Sequence, residues 1–191
     1  VRELKPDAIH LDCAVTGCTQ DAEGAELRLR DGRSVRGDAL MGADGVRSVV
    51  RNTLWGPTDP AFSGMVAWRG MIPMEVLPER MRASVGTTWI GPGGHAVSYP
   101  LHRSKFMNFV ATIEGKVWKE AAGSALGTLQ ECLEDFKGWH EDVQVLIRNS
   151  PRLLKWALAQ RDPIPAWTQG RISLLGDAAH AMSPSMGTGS A

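Results

Sequence analysis

The stretch Gly170-Arg-Ile-Ser-Leu-Leu-Gly-Asp-Ala-Ala-His180 decides the fold class, because it predicts a short buried strand that ends at an acidic residue. The strand is expected over 171–175, with Gly176 and Asp177 directly after it. In open α/β sheets, ligands bind at the carboxyl ends of the strands. A carboxylate there can accept hydrogen bonds from sugar-like hydroxyls, and Gly176 leaves room for a flat ligand near the backbone. Asp177 is therefore the first predicted ligand-binding residue, although a Gly-Asp pair after a strand can also be a simple turn.

A second motif, Leu40-Met-Gly-Ala-Asp-Gly-Val-Arg-Ser-Val-Val-Arg51, repeats this order of strand, acid-glycine turn and helix. Ser48 suits the N-cap of a helix that follows. Arg47 and Arg51 are four residues apart, so on a helix they would share a face and could contact a pyrophosphate. The alternative is an ordinary Asp44-Gly45 turn followed by a solvated helix with surface arginines.

The last residues predict the start of another helix. The loop Met182-Ser-Pro-Ser-Met-Gly-Thr-Gly189 leads into a helix N-terminus, where free N–H groups and the positive end of the helix dipole favour a partly anionic group. The chain begins at Val1, not Met, and stops at Ala191 before the helix continues. We therefore expect an internal fragment of a longer protein.

The remaining pattern predicts one domain interrupted by another. Four strands are expected before residue 60, with a hairpin turn at Asp31-Gly32. Four further strands broken by turns predict an antiparallel sheet, and Thr128-Leu-Gln-Glu131 is a capping-box pattern. The expected strands are 8–17, 25–30, 33–37, 39–42, 63–72, 84–90, 95–100 and 105–114, and the expected helices are 128–137 and 141–149. The fold class is α/β with an α+β insertion: 1–60 and 166–191 form a nucleotide-type domain that 61–165 interrupts.

Composition excludes several classes of protein. The chain has 191 residues, 43% of them hydrophobic, and its 21 basic residues balance its 21 acidic ones, so no basic surface for nucleic acid is indicated. The three cysteines predict neither a disulfide framework nor a metal site, which favours a reducing cytoplasm. No apolar run is long enough for a membrane span, and none of the seven tryptophans accompanies a basic groove.

The two acid-bearing motifs, at this separation, resemble the DG and GD motifs of the FAD-dependent aromatic-ring hydroxylases, the family of para-hydroxybenzoate and salicylate hydroxylases. Three connecting segments resemble the salicylate-hydroxylase-like branch: Val66-Ala-Trp-Arg-Gly70, Gly91-Pro-Gly-Gly-His-Ala-Val-Ser-Tyr-Pro-Leu101 and Pro165-Ala-Trp-Thr-Gln-Gly170. The resemblance implies a Rossmann-like FAD-binding domain around a substrate-binding sheet. It also implies an NAD(P)H- and O2-dependent monooxygenase that hydroxylates a small phenolic or heteroaromatic acid through a flavin C4a-hydroperoxide.

The resemblance also assigns roles to residues. Asp177, with Gly176, would hold the ribityl chain of FAD, and Pro184 would lie beside the reacting face of the flavin. The backbone of Val15 would contact adenine. The pyrimidine edge would face Gly187, Thr188 and Gly189, the pyrophosphates would be supported by Asp44 and Gly45, and Arg47 and Arg51 would lie on the side of the nicotinamide cofactor. A homodimer is compatible with this family.

His95 and Tyr99 match a His and a Tyr that approach the substrate oxygen in the 3-hydroxybenzoate and 6-hydroxynicotinate hydroxylases. Residues four apart on a strand point the same way, so both side chains could reach a phenol bound against the sheet. A His can take up or relay the phenol proton, and a Tyr hydroxyl can hydrogen-bond an oxyanion. Both could instead be a solvated His and a core Tyr. His180 is expected to brace the loop after Asp177 by hydrogen bonding to the backbone.

Two other readings stay open. The chain could belong to a flavin oxidoreductase or epoxidase of the same superfamily, or it could be a non-catalytic truncated module. The sequence contains no complete GxGxxG turn for the FAD diphosphate, so we expect this fragment alone to hold FAD weakly. A hydrolase is disfavoured, because no GxSxG elbow occurs.

Overall fold

The chain folds into two compact units. A computed structural model describes residues 5, 7–119 and 123–183. The first unit combines residues 1–61 with 159–191, and the second comprises 62–158. The α/β class with an antiparallel insertion is confirmed. The chain returns to the first unit at 159 and not at the predicted 166, because the Arg161 side chain donates hydrogen bonds to the carbonyl oxygens of Val46 and Thr58.

The described residues form twelve strands and four α-helices. In chain order they are β1 (Val15–Gln20), β2 (Ala25–Leu29), β3 (Ser34–Gly37), β4 (Leu40–Gly42), α1 (Val49–Trp55), β5 (Ala61–Pro73), β6 (Thr87–Gly91), β7 (Gly94–Leu101), β8 (Phe106–Ile113), β9 (Ser124–Gly127), α2 (Leu129–Asp135), α3 (Glu141–Arg148), β10 (Leu153–Gln160), β11 (Thr168–Gln169), β12 (Ile172–Leu174) and α4 (Asp177–His180). Two one-turn 3-10 helices follow β5, at Met74–Val76 and Glu79–Met81. None of the helices in this described part is long and apolar enough to cross a membrane.

The first unit contains an antiparallel meander of β1, β2 and β3. The predicted hairpin turn is present at Asp31-Gly32, where Gly32 has φ 89°. The strand predicted over 8–17 begins only at Val15. Asp12 takes a left-handed φ of 56°, which interrupts an extended backbone before that point.

A second, mixed sheet of the first unit brings the two acid-bearing motifs together. β12 pairs in parallel with β4, so that Leu174 lies opposite Gly42, while β11 pairs antiparallel with β12. A Cβ at Gly42 would lie 2.8 Å from Val50 Cγ1 and 2.9 Å from Leu174 Cδ2. Only a glycine therefore lets α1 and β12 pack this closely on β4.

The second unit is a six-stranded antiparallel sheet with helices on one face. The strand order is β6-β7-β8-β5-β10-β9. One face packs against α2 and α3 and forms the larger hydrophobic core, which includes Trp68, Ile72, Phe109, Phe136, Val143, Leu146 and Ile147. β10 was not predicted, because the mainly apolar segment 153–158 does not distinguish a strand from a helix, and β9 was not predicted, because its four residues are too few to show a period.

Two local features fix the geometry of the second unit. Thr128 and Glu131 form the predicted capping box, with each side chain bonded to the other residue's backbone N–H. The turn between β7 and β8 contains three consecutive left-handed residues, His102, Arg103 and Ser104, with φ of 51°, 57° and 60°. Left-handed conformations cost non-glycine residues about 1 kcal/mol or more each. This turn therefore stores strain while it sets the register that pairs Leu101 with Phe106.

Candidate functional site

Asp44 and Asp177 follow the carboxyl ends of two neighbouring parallel strands. Gly42 ends β4 opposite Leu174 of β12, and the N–H of Leu175 donates to the carbonyl oxygen of Gly42 at 2.9 Å. Because both acids come directly after paired strands, they lie at the same edge of the sheet. This arrangement places the two motifs at the edge where α/β sheets bind ligands.

The carboxylate of Asp44 is fully engaged with helix α1. It accepts hydrogen bonds from Ser48 Oγ at 2.5 Å and from the N–H groups of Val49 at 2.7 Å and Val50 at 3.2 Å. Ser48 in turn caps the helix by accepting from the N–H of Arg51. Asp44 therefore fixes the turn and satisfies the first N–H groups of α1, which have no partner within the helix.

Asp177 differs, because its carboxylate is solvent-exposed and unpaired. Within the described parts of the chain, no donor is within hydrogen-bond distance of it. The preceding Gly176 has φ 59°, and a Cβ built there meets no atom within 4 Å. An open, left-handed turn beside a free carboxylate can accept the hydroxyls of a polyol chain without displacing any existing bond.

The prediction that Arg47 and Arg51 share one face of a helix is wrong. Helix α1 begins at Val49, so Arg47 precedes the cap and is exposed, whereas Arg51 lies inside the helix and is buried. The Arg51 guanidinium donates to the carbonyl oxygens of Ala178 (3.4 Å), Ala179 (2.9 Å) and Asp162 (2.7 Å). Burial, and then the nearby charge of Arg161, lower its pKa below the ordinary value. Arg51 thus joins the two motifs, a role that the sequence did not suggest.

His180 is placed by stacking and not by the expected backbone bond. Its ring lies 4.8 Å from the Trp167 ring, centroid to centroid, at an interplanar angle of 24°. Its Nδ1 is buried and has no hydrogen-bond partner. Of the other predicted residues, Val15 begins β1 opposite Leu29, and Gly45 has a left-handed φ of 76°. The predictions for Pro184, Gly187, Thr188 and Gly189 lie outside the described residues.

The second unit holds His95 and Tyr99 on one face of its sheet, as alternation on β7 requires. His95 lies opposite Thr112 of β8, and its Nδ1 is 3.0 Å from the Thr112 hydroxyl. Tyr99 lies opposite Asn108 and is 39% exposed. This face points away from the helix-covered core, which takes the alternate positions such as Ala96.

The sequence did not predict that Asn108 and Thr112 are polar partners on that face. Asn108 and Thr112 are fully buried, and Asn108 Oδ1 accepts a hydrogen bond from Arg69 Nε at 3.1 Å. The signal was present in the segment Phe-Met-Asn-Phe-Val-Ala-Thr-Ile of β8, where two polar residues share one parity within an otherwise apolar strand. Cross-strand pairing, which the sequence alone does not fix, brings these groups to His95 and Tyr99.

Comparison with known proteins agrees with this architecture. Residues 2–191 match the family described as FAD binding domain, and the chain belongs to that family. It is 37% identical over 186 residues to 3-amino-4-hydroxybenzoate 2-monooxygenase PtnB3 of Streptomyces platensis, and this alignment covers 97% of this chain and 47% of that protein. It is 40% identical over 164 residues to 3-hydroxybenzoate 6-hydroxylase 1 of Aquipseudomonas alcaligenes, covering 86% of this chain and 41% of that protein.

A solved structure of a salicylate hydroxylase substrate complex shares the fold with a TM-score of 0.81 and 30% identity, covering 97% of this chain and 50% of that one. The resemblance to aromatic hydroxylases is therefore confirmed, and so is the expectation that FAD is the cofactor of the family. The chain spans about half the length of the relatives it matches.

Proposed function

We propose that the complete protein containing this chain is an FAD- and NAD(P)H-dependent monooxygenase that hydroxylates a small phenolic or heteroaromatic acid. The observation that carries the proposal is the Asp177 carboxylate, exposed and without a partner among the described residues, at the strand end beside the open turn at Gly176. The names of the relatives, which are hydroxylases of hydroxybenzoates and a monooxygenase of 6-hydroxynicotinate, support the substrate class.

The residues of the first unit fit FAD in a specific way. Asp177 would accept hydrogen bonds from the ribityl hydroxyls, and the backbone at Val15 would contact adenine. Asp44 would support the pyrophosphates indirectly, by fixing the turn at Gly45, because its own carboxylate already accepts from the N–H groups of Val49 and Val50. The exposed Arg47 is available to NAD(P)H. When bound, FAD reduced by NAD(P)H supplies the chemistry that activates O2 and adds one oxygen atom to the ring.

The residues of the second unit would prepare the substrate. The tautomer of His95 whose Nδ1–H donates to the Thr112 hydroxyl, 3.0 Å away, has a lone pair on Nε2 and would take the phenol proton there. The hydroxyl of Tyr99 would hydrogen-bond an oxygen of the substrate. Loss of the phenol proton makes the ring a better nucleophile, so this face raises the reactivity of the ring while the cofactor provides the oxidant.

Purification of the complete protein tests the proposal. We expect a yellow protein that oxidises NADH or NADPH several-fold faster with 3-hydroxybenzoate or salicylate, with O2 consumption and a hydroxylated product. A colourless protein that cannot be reconstituted with FAD would contradict it. Oxygen use with alkenes but not with a panel of phenols would favour an epoxidase instead. The predictions of a cytoplasmic location and a homodimer stay open to fractionation and sedimentation.

A further inference from the structure

The amide of Asn108 is an unused donor on the sheet face that carries His95 and Tyr99. Asn108 has no exposed surface, yet among the residues that the structure describes its Nδ2 has no hydrogen-bond partner. Buried polar groups in native proteins almost always have partners, so a buried orphan donor requires a specific explanation. Its position, opposite Tyr99 on one side and Met71 on the other, places it within the candidate substrate face.

The orientation of this amide is fixed by its neighbour. Asn108 Oδ1 accepts from Arg69 Nε at 3.1 Å, and rotating the amide by half a turn would place two donors against each other. Nδ2 is therefore the atom left without a partner. An oxygen supplied by a ligand would complete its hydrogen bonding.

Arg69 adds a positive charge to the same place. Its side chain is exposed, and in the ranges that the structure describes no carboxylate forms an ion pair with it. Only Nε is used by Asn108, so the two Nη groups keep their donors. A guanidinium fork beside an amide N–H is suited to bind the two oxygens of a carboxylate.

We propose that Asn108 and Arg69 bind the carboxylate of the aromatic substrate, and so determine the preference for an acid; this inference rests on the proposed function. His95 would then hold the other end of the ring. Tyr99 lies directly opposite Asn108, so the spacing of His95 and Tyr99 along β7 approximates the spacing of His95 and Asn108 along the sheet. Four residues of strand correspond to about 13 Å. One hydrogen bond of about 2.8 Å at each end leaves roughly 7 Å for the ligand, which is the length of one substituted benzene ring.

Access to the amide depends on its two cross-strand neighbours. Tyr99 and Met71 are each 39% exposed, so either side chain can rotate toward solvent and let a carboxylate oxygen reach Nδ2. The buried donor would then be satisfied only in the substrate complex. When a neutral ligand binds and the buried donor still has no acceptor, the site discriminates strongly against that ligand.

Substitution of Asn108 by Asp in the complete protein tests this inference. Asn108→Asp keeps the shape and the acceptor for Arg69 but replaces the N–H donor by a negative oxygen. We expect the Kd of 3-hydroxybenzoate, measured by perturbation of the flavin spectrum, to rise tenfold or more, and that of the neutral 3-hydroxybenzyl alcohol to change by less than about twofold. Arg69→Met should act in the same direction.

Asn149→Asp is the matched control, because it makes the same change in the same unit, where the amide already donates to the Val145 carbonyl oxygen. It should leave the ratio of the two Kd values unchanged. Equal weakening of both ligands by Asn108→Asp would overturn the inference in favour of a purely structural role. A wild-type protein without flavin, or without phenol-stimulated NAD(P)H oxidation, would overturn the proposed function and this inference with it, whereas unaltered acid selectivity in a working enzyme would overturn the inference alone.

Discussion

The strand-end edge of the first unit and the polar sheet face of the second unit satisfy their polar groups in opposite ways. At the edge, Asp44 and Arg51 bind backbone groups, while the Asp177 carboxylate has no partner among the described residues. On the face, Arg69, Asn108, His95 and Thr112 bind one another in pairs. Backbone-bound side chains shape a site that suits one unchanging ligand, whereas side-chain pairs can be exchanged to suit different substrates.

The largest expected effect comes from removing the link between the two motifs. Arg51→Met leaves the carbonyl oxygens of the buried Ala178 and Ala179 without their donor and removes the bond to the Asp162 carbonyl oxygen. We expect the free energy of unfolding to fall by about 3 kcal/mol. Urea denaturation measures this change, and Arg47→Met, at an exposed position four residues earlier, is the control and should cost less than about 0.5 kcal/mol. Equal effects would show that the edge is not held by backbone-bound side chains.

The free carboxylate at the same edge should affect binding and not stability. Asp177→Asn keeps the size of the side chain but removes a charge that no described residue uses. We expect FAD affinity of the complete protein to fall about 10- to 100-fold, the value of a charge-assisted hydrogen bond, with unchanged urea denaturation of the apoprotein. Titration of flavin fluorescence is the measurement. Unchanged affinity would remove Asp177 from the cofactor site.

On the sheet face, the pair of Thr112 and His95 should affect turnover more than binding. Thr112→Val keeps the shape and removes the hydroxyl that orients the imidazole. We expect kcat to fall about tenfold with little change in KM, because positioned proton transfer is lost while the substrate contacts remain. Thr87→Val, on an exposed edge strand, is the control. An equal loss in kcat for both variants would show that the pair has no special role.

The smallest expected effect concerns the helix cap of the second unit. Hydrogen bonding by the Thr128 backbone N–H, followed by Lys155, lowers the pKa of Glu131 from 4.5 to about 2. A lowered carboxyl pKa stabilises the fold above pH 4.5, and this stabilisation is lost as the pH falls through about 2. Because Glu131 is largely exposed, we expect Glu131→Gln to cost about 1 kcal/mol or less at pH 7. It should also flatten the stability curve between pH 4.5 and 2, which thermal unfolding across that range would reveal.

The features that the sequence predicted are those encoded at short sequence distance. The capping box, the Ser48 cap and the strand-acid-glycine order of both motifs each involve residues within about six positions, where spacing alone fixes the geometry. The general rule that ligands bind at the carboxyl ends of strands in α/β sheets predicted both acids at a ligand-binding edge, and the parallel pairing found between β4 and β12 agrees with it. The position of Asp177 beside the Asp44 motif could therefore be predicted.

The features that it did not predict depend on pairing between distant segments. Arg51 meets carbonyl groups more than 100 residues away, and Asn108 meets Arg69 across two strands. β9 was missed because four residues are too few to show a period, and β10 because its mainly apolar segment does not distinguish a strand from a helix. The error over Arg47 came from counting it as a helical residue, although the predicted cap at Ser48 leaves it outside a helix that begins at Val49.

The short connection between β7 and β8 has a consequence for how such an enzyme could evolve. Its three left-handed residues hold Tyr99 opposite Asn108 and His95 opposite Thr112. Loss or gain of a single residue there would shift the register of β7 against β8 by one residue. The polar side chains of the shifted strand would then point into the helix-packed core. Evolution can therefore replace side chains on these strands, while the length of this loop must be kept.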